Sequence, residues 1–144
     1  MHNTASTDKA WVAGFMDGEG SFVVAINNST ISARHSYSPK VSVGNTHKPS
    51  LDYLVSLYGG KVCLHHKGSH KSKIVYQWYC PKESMLTFLT DISSYIRIKR
   101  PQVLLLLEFL SLGIGHSGVR MPDEDWNLRR DIYEKLRYLN RKGP

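Results

Sequence analysis

The sequence predicts an α+β protein in which helices and pairs of strands follow one another in the order αββαββα, with further helices at the C-terminal end. Two observations carry this prediction. Four segments, grouped in two pairs, are rich in β-branched residues or alternate apolar and polar side chains with the period of half-buried strands. Around and between the pairs, apolar residues recur at intervals of three and four, which places them on one face of a helix.

The first helix is predicted over residues 10–16, which are small or apolar. Thr7 and Asp8 precede it and are expected to cap its first N–H groups. Gly20 ends the helix, and the β-branched, apolar residues 21–26 predict the first strand.

Glycine and acidic residues in this helix suggest a function. Gly14 and Gly18 lie on one face, near Ala13 and Asp17, and each costs about 1 kcal/mol relative to alanine. Such a bare face allows another backbone to approach closely. Asp17 and Glu19 lie at the negative end of the helix dipole, so we expect a cation or an N–H donor beside them. A carboxylate and a free carbonyl at this helix end are suitable oxygen ligands for Mg²⁺.

The other strands are predicted from alternation. Residues 34–43 place apolar side chains on one face and Ser, Lys and Arg on the other, and Pro39 indicates an edge position or a bend. Residues 61–66 and 73–79 form the second pair around a basic hairpin loop, residues 67–72. Small hydroxyls interleaved with cations suit contact with bases and phosphates, although a solvated sheet face explains the same pattern.

The remaining helices are predicted from apolar stripes. Residues 45–58 have Pro49 in the first turn, residues 84–95 have one apolar face, and Pro101 begins a strongly apolar helix that runs to residue 112. The stripes are Leu51, Leu54, Val55 and Tyr58, then Met85, Phe88, Leu89 and Ile92. A last helix follows Pro122, with basic residues opposite a predicted buried side of Trp126, Leu128, Ile132, Tyr133, Leu136 and Leu139.

Size and charge narrow the class of protein. The 144 residues are enough for one domain, and 19 Lys and Arg against 12 Asp and Glu give a net charge of +7. This excess points to a polyanion, either nucleic acid or an anionic membrane surface. Cys63 and Cys80 lack metal-type spacing, which favours free thiols in a reducing compartment. No signal peptide or apolar run long enough to cross a bilayer is present, so we expect a soluble intracellular protein.

Residues 12–20, VAGFMDGEG, closely resemble the LAGLIDADG motif of homing endonucleases, and Ser21 and Phe22 are typical of the residues directly after that motif. The αββαββα order is also that of the LAGLIDADG core. The resemblance covers about residues 8–112 and implies a saddle-shaped antiparallel sheet that lies over DNA. We therefore expect a single endonuclease domain, residues 1–144, with a C-terminal helical extension over residues 119–144.

The resemblance also implies catalytic residues. Glu19 would bind the catalytic divalent metal, assisted by the carbonyl of Gly18, with Mg²⁺ as the cofactor and Mn²⁺ as a substitute. Lys99 would lie near the cleavage centre, with Gln102 as a second candidate, and Asn45 would position the nucleophilic water. The sequence departs from the motif mildly, with glutamate at position 19 where aspartate is common and Met16 in place of a β-branched residue.

A single motif has a structural consequence. In this family two motif helices pack together and each supplies one acidic residue, so the second must come from another copy of the chain. The resemblance therefore implies a homodimer that hydrolyses both strands of a pseudo-palindromic double-stranded DNA site. The interface residues would be Ala13, Gly14, Asp17 and Gly18, with Asp17 capping or bracing the helix pair.

The DNA-binding residues are predicted on the polar faces of the four strands and in the basic loop. They are Ser21, Val23, Ala25, Asn27, Arg34, Ser36, Ser38, Lys40, Ser42, Lys61, Cys63, His65, Lys67, Lys71, Lys73, Val75, Gln77 and Tyr79. His65, His66 and His70 also suggest a metal site. Adjacent histidines on a strand point to opposite faces, however, so contact with phosphate or solvent is the better interpretation.

A different class of function remains open on the same fold. An intron-splicing maturase or a DNA- or RNA-binding regulator would keep the sheet and lose cleavage, and an endonuclease of this type could also bind its own intron RNA. Either protein would act with DNA in a bacterial or viral cytoplasm or an organelle matrix, as the product of an intron or other mobile element.

Overall fold

The computed structural model describes residues 4–27, 35–113 and 121–142. Its helices are α1 (Ser6–Glu19), α2 (Lys48–Tyr58), α3 (Lys82–Ser93), α4 (Arg100–Ser111) and α5 (Asp123–Lys142). Its strands are β1 (Gly20–Asn27), β2 (Ser36–Asn45), β3 (Val62–His66) and β4 (Val75–Tyr79). The order from α1 to α3 is αββαββα, which confirms the predicted architecture.

The four strands form one antiparallel sheet in the order β1-β2-β4-β3. β1 pairs with nearly the whole of β2, from Asn27 opposite Ser36 to Gly20 opposite Val43. β4 joins β2 only at residues 42–45. Pro39 therefore lies where β2 has no ladder partner on its second side, which explains how a residue without an N–H fits there.

All five helices contribute to one hydrophobic core with the inner face of the sheet. Phe22, Val41, Val43 and Trp78 are almost fully buried on that face. The predicted stripe of α3 is buried as expected, and in α2 Leu51, Leu54 and Tyr58 are buried and Val55 packs against them. Among the described residues, no helix is both long and apolar enough to cross a membrane.

α5 is anchored on the sheet and on α4. Ile132 and Leu136 are buried in the core, and Asn140 Nδ2 donates to the Phe22 carbonyl of β1 (3.0 Å). The predicted buried side was wrong for Leu128, which is 47% exposed. The next residue, Arg129, is buried instead: it is 5% exposed and donates to the carbonyls of Leu112 and Gly113. A buried guanidinium is tolerated here because it satisfies carbonyls at the end of α4.

Several predicted boundaries shift. α1 begins at Ser6, before Thr7 and Asp8, and its N-cap residue Ala5 makes no side-chain cap. The Asp8 carboxylate instead accepts a hydrogen bond from the Tyr53 hydroxyl. β2 runs on through Asn45, and α2 begins at Lys48. Lys61 and Lys73 lie just outside β3 and β4, and the segment between Asn27 and β2 falls outside the described residues except for His35.

Candidate active site and nucleic-acid interface

The centre of the candidate site is the junction of α1 and β1. Glu19 is the last residue of α1 and is exposed, and Gly20 begins β1. Gly18 is also exposed, and a Cβ built on it would meet nothing within 4 Å. The junction thus presents a carboxylate to solvent beside an uncovered stretch of backbone.

Lys99 reaches this junction from a distant part of the chain. It is the N-cap residue of α4, and its Nζ donates to the Gly20 carbonyl at 2.6 Å. The Lys99 ammonium group therefore contacts the residue that directly follows Glu19. Pro101 occupies the first turn of α4, as predicted. The structure thus brings Lys99 to the residue next to Glu19, although the two residues are distant in sequence.

Asp17 joins the same two segments. Its carboxylate accepts hydrogen bonds from the backbone N–H groups of Arg97 (2.9 Å) and Lys99 (3.0 Å). The expected N–H donors beside the acidic end of α1 are therefore present, and they come from the same chain. Sequence patterns missed this contact, because no local signal pairs residue 17 with residues 97 and 99.

The two other predicted catalytic residues have different surroundings. Asn45 ends β2. Its Oδ1 accepts a hydrogen bond from the His47 N–H (2.8 Å), and this contact closes a turn that leads into α2. Gln102 is only 3% exposed, and its Oε1 has no hydrogen-bond partner in the part of the chain that is described. This burial argues against direct contact between Gln102 and a substrate. The role of Asn45 stays a prediction.

The exposed face of α1 is narrower than predicted. Gly14 and Gly18 are exposed, and a Cβ at either position would meet nothing within 4 Å. Ala13 is fully buried in the core of its own chain, so its place on that face was wrong. Trp11 takes up the adjacent surface: it is 40% exposed, stacks on Phe15 and contacts Tyr53. Its spacing of three residues from Gly14 was the signal that could have identified it.

Metal ligands at the junction are few. Across residues 4–27, 35–113 and 121–142, no group of three or more His, Cys, Asp or Glu residues could hold an ion. His66 Nδ1 is occupied locally by the Gly68 N–H (3.0 Å). The exposed Glu19 carboxylate and the Gly18 carbonyl are hard oxygen donors, so they suit Mg²⁺, but they form only part of a coordination shell.

The outer face of the sheet carries most of the predicted DNA-binding residues. The registers place Ser21, Val23, Ala25 and Asn27 of β1 beside Ser42, Lys40, Ser38 and Ser36 of β2. They also place Tyr79 beside Ser42, and Cys63 beside Gln77. The cations of this face are exposed, whereas Ser42 is only 7% exposed and offers little surface. Arg34 lies outside the described residues.

Two contacts organise side chains on this outer face. Lys40 Nζ lies 4.9 Å from the centre of the Tyr79 ring, a cation–π contact that leaves the lysine exposed. Gln77 lies across Gly44, since a Cβ at Gly44 would be 2.7 Å from Gln77 Oε1. Lys61, Lys67, Lys71 and Lys73 are exposed at the strand ends and in the turn between β3 and β4.

The charge of the protein is divided unevenly along the chain. Residues 20–82, which contain the whole sheet, hold eight of the 19 Lys and Arg residues and one of the 12 Asp and Glu residues. This segment therefore accounts for the entire net charge of +7. The remaining residues hold 11 of each sign and are neutral together. The sheet segment is thus the part of the protein that is suited to a polyanion.

Comparison with solved structures identifies the fold. I-TnaI, a homing endonuclease, superposes with a TM-score of 0.63 at 18% identity over 99% of both chains. The archaeal intron-encoded homing endonuclease I-Vdi141I, complexed with DNA, gives 0.61 at 18% identity over 92% of this chain and 98% of that one. I-LtrWI, a LAGLIDADG homing endonuclease bound to target DNA, gives 0.65 at 17% identity over 94% of this chain and 46% of that one.

Comparison at the level of sequence finds no relative. No family model matches the chain, and a search of curated proteins gives no match. The element order, the antiparallel sheet and the superpositions, which extend over nearly the whole chain, agree with one another. The chain has the fold of the LAGLIDADG homing endonucleases.

Proposed function

We propose that this protein is a site-specific DNA endonuclease that works as a homodimer with a divalent metal ion. The observation that carries the proposal is the contact of Lys99 Nζ with the Gly20 carbonyl, directly beside the exposed Glu19. It unites a carboxylate and a cation from distant segments on a fold whose known members include endonucleases bound to DNA.

Glu19 and the Gly18 carbonyl are the groups that would hold the metal ion. When bound, such an ion lowers the pKa of a water molecule and stabilises the leaving oxygen of a phosphodiester. The homing endonuclease I-CvuI, which has a similar fold, has been crystallised with its DNA target in the presence of Ca²⁺. It has also been crystallised with another target in the presence of Mg²⁺, and that DNA was not cleaved. These conditions support a divalent metal without selecting one.

Lys99 supplies the positive charge of the site. Its ammonium group is fixed on the Gly20 carbonyl, so it needs no reorganisation when negative charge develops on a phosphate nearby. Direct stabilisation of that charge is the role that we assign to Lys99.

A second chain completes the site in this proposal. One chain offers one exposed carboxylate at the junction, and the open surface over Gly14 and Gly18 allows close approach by an identical helix. Two-fold symmetry then places two Glu19 residues together and implies a roughly palindromic DNA site. The alignment with about half of the I-LtrWI chain is compatible with a two-part arrangement.

The test compares wild-type protein with Glu19→Gln on a partly randomised plasmid library in the presence of Mg²⁺. Glu108→Gln is the matched control, because Glu108 is an exposed glutamate on α4. We expect linear product from the wild type and the control, and a rate at least about 100-fold lower for Glu19→Gln. DNA retention should be unchanged, since the sheet supplies most phosphate contacts. Sequencing of the cut ends gives the target.

Two outcomes would contradict the proposal. Cleavage by Glu19→Gln at the wild-type rate would remove the metal assignment. Retention of particular library members without cleavage by any variant would instead indicate a DNA-binding regulator or maturase.

A further inference from the structure

Asp17 has a contact that the resemblance to the LAGLIDADG family does not assign. The family places this residue on the helix pair, yet its two carboxylate oxygens accept N–H groups of the segment that leads into α4. We propose that Asp17 is a positioning residue that fixes Lys99 beside Glu19. This inference rests on the proposed function, because it concerns how the site is assembled.

The geometry gives Lys99 two points of attachment to one short stretch of chain. Its backbone N–H is held by Asp17 Oδ1, and its Nζ is held by the Gly20 carbonyl. A free lysine side chain samples many rotamers. With its backbone fixed near one end of residues 17–20 and its ammonium fixed near the other, few of those rotamers remain.

The neighbouring N–H of Arg97 makes the attachment rigid. It donates to Asp17 Oδ2, so the two oxygens hold two N–H groups that are two residues apart. Hydrogen bonds to an ionised carboxylate are shorter and stronger than neutral ones. The N-cap residue of α4 makes no side-chain capping hydrogen bond, so the Asp17 carboxylate orders the segment before α4 instead.

Asp91 provides a matched control for a carboxylate that only joins helices. It accepts a hydrogen bond from the Tyr58 hydroxyl (2.9 Å) and forms an ion pair with Lys9 (3.6 Å). It therefore links α3 to α2 and α1 without holding the segment before α4. Loss of Asp91 should weaken packing but should leave the Lys99 ammonium in place.

The first experiment is a double-mutant cycle in single-turnover cleavage of the selected target. Asp17→Asn and Asp91→Asn are each made alone and together with Lys99→Met. We expect Asp17→Asn to slow cleavage about 100-fold, because a displacement of about 1 Å at a reacting centre costs that much. DNA affinity should not change. With Lys99→Met present, Asp17→Asn should cost nothing further, whereas the effect of Asp91→Asn should be the same in both backgrounds.

Folding is checked by circular dichroism. If Asp17→Asn fails to fold, Asp17→Glu takes its place, because it keeps the charge and displaces the carboxylate by one methylene. An equal loss of rate with and without Lys99 would overturn the proposal.

The second experiment does not depend on cleavage. Lysines are methylated reductively with ¹³C, and the Lys99 signal is identified by its disappearance in Lys99→Arg. We expect Asp17→Asn to move this signal to the position of exposed lysines, and Asp91→Asn to leave it unchanged. An unmoved Lys99 signal in folded Asp17→Asn would contradict the inference. Inactive wild-type protein with the expected movement would instead reject the proposed function alone.

Discussion

Asp17 and Glu19 show how two like residues in one helix turn take different tasks. Positions two apart point in different directions around a helix, so the two carboxylates do not share an environment. Asp17 turns toward the segment before α4 and binds two N–H groups, whereas Glu19 is exposed at the junction with β1. The first is suited to hold structure and the second to bind a ligand.

Cysteine reactivity gives a prediction at the same scale. Cys80 is buried, and burial raises the pKa of its thiol to about 12, so almost no thiolate is present near neutral pH. Cys63 is half-buried on the outer face of the sheet, opposite Gln77. We therefore expect iodoacetamide to alkylate Cys63 well before Cys80. Bound target DNA should slow the reaction of Cys63.

Mass spectrometry of digested protein measures this alkylation, and Cys63→Ser identifies the signal. A DNA duplex without the target sequence is the control at the same concentration. Alkylation of Cys63 at an unchanged rate in saturated complexes would show that DNA does not cover this part of the sheet.

At the scale of elements, local sequence patterns correctly predicted the features that depend on local interactions. The α3 stripe of Met85, Phe88, Leu89 and Ile92 is buried because its spacing leaves only one face for the core. Pro101 lies in the first turn of α4, where its missing N–H costs nothing. The sequence did not predict Arg129 as buried, because only the carbonyl end of α4, brought close by tertiary packing, makes that burial favourable.

The candidate site divides in the same way. The resemblance pointed to Glu19 and Lys99, and Lys99 contacts the residue next to Glu19. Their catalytic roles stay predictions. Ala13 was expected on an exposed face but is buried in the core. Asp17 was expected to cap or brace a helix pair, which stays a prediction, and within this chain it binds the segment before α4. The surroundings of both residues depend on which segments pack against α1, and the spacing of apolar residues along the chain does not indicate which segments those are.

Helix α1 makes a prediction about assembly. Gly14→Leu is suitable because Gly14 is exposed, does not adjoin Glu19, and has no atom within 4 Å of a built Cβ. In an isolated chain the change should stabilise α1 by up to about 1 kcal/mol, since glycine is a poor helix residue. In a dimer packed through this face the new side chain should separate the helices. We therefore expect a folded monomer by light scattering where the wild type is a dimer.

Thr87→Leu, an exposed change on α3, is the control and should leave the dimer intact. A Gly14→Leu protein that remains dimeric at all concentrations tested would place the interface elsewhere.

At the scale of the whole molecule, the fold separates a charged sheet segment from neutral surroundings. The excess charge of +7 resides in residues 20–82, and the outer sheet face is opposite the helices of the core. α5 contributes a different feature, because Asn140 binds a carbonyl of the edge strand β1. A partly covered edge resists pairing with other chains.

This separation predicts where the salt dependence of DNA binding originates. Lys40 is exposed on the outer face, Lys61 and Lys73 are exposed beside the ends of β3 and β4, and Lys135, Arg137 and Arg141 are exposed on α5. Changing either set to glutamine removes the same charge. For the sheet set, the slope of log K against log salt should become shallower by about 0.9 for each phosphate that the protein no longer neutralises. In a dimer, three such phosphates for each chain give a change of up to about five.

The α5 set should leave the slope nearly unchanged if DNA lies on the sheet. Fluorescence anisotropy of labelled target DNA over a series of KCl concentrations measures both slopes. Equal changes for the two sets would mean that binding follows total charge rather than the sheet. A larger change in slope for the α5 set would indicate that DNA binds along α5 instead. A change confined to the sheet set would locate the phosphates along the strands that carry Cys63 and Tyr79, in agreement with protection of Cys63 by DNA.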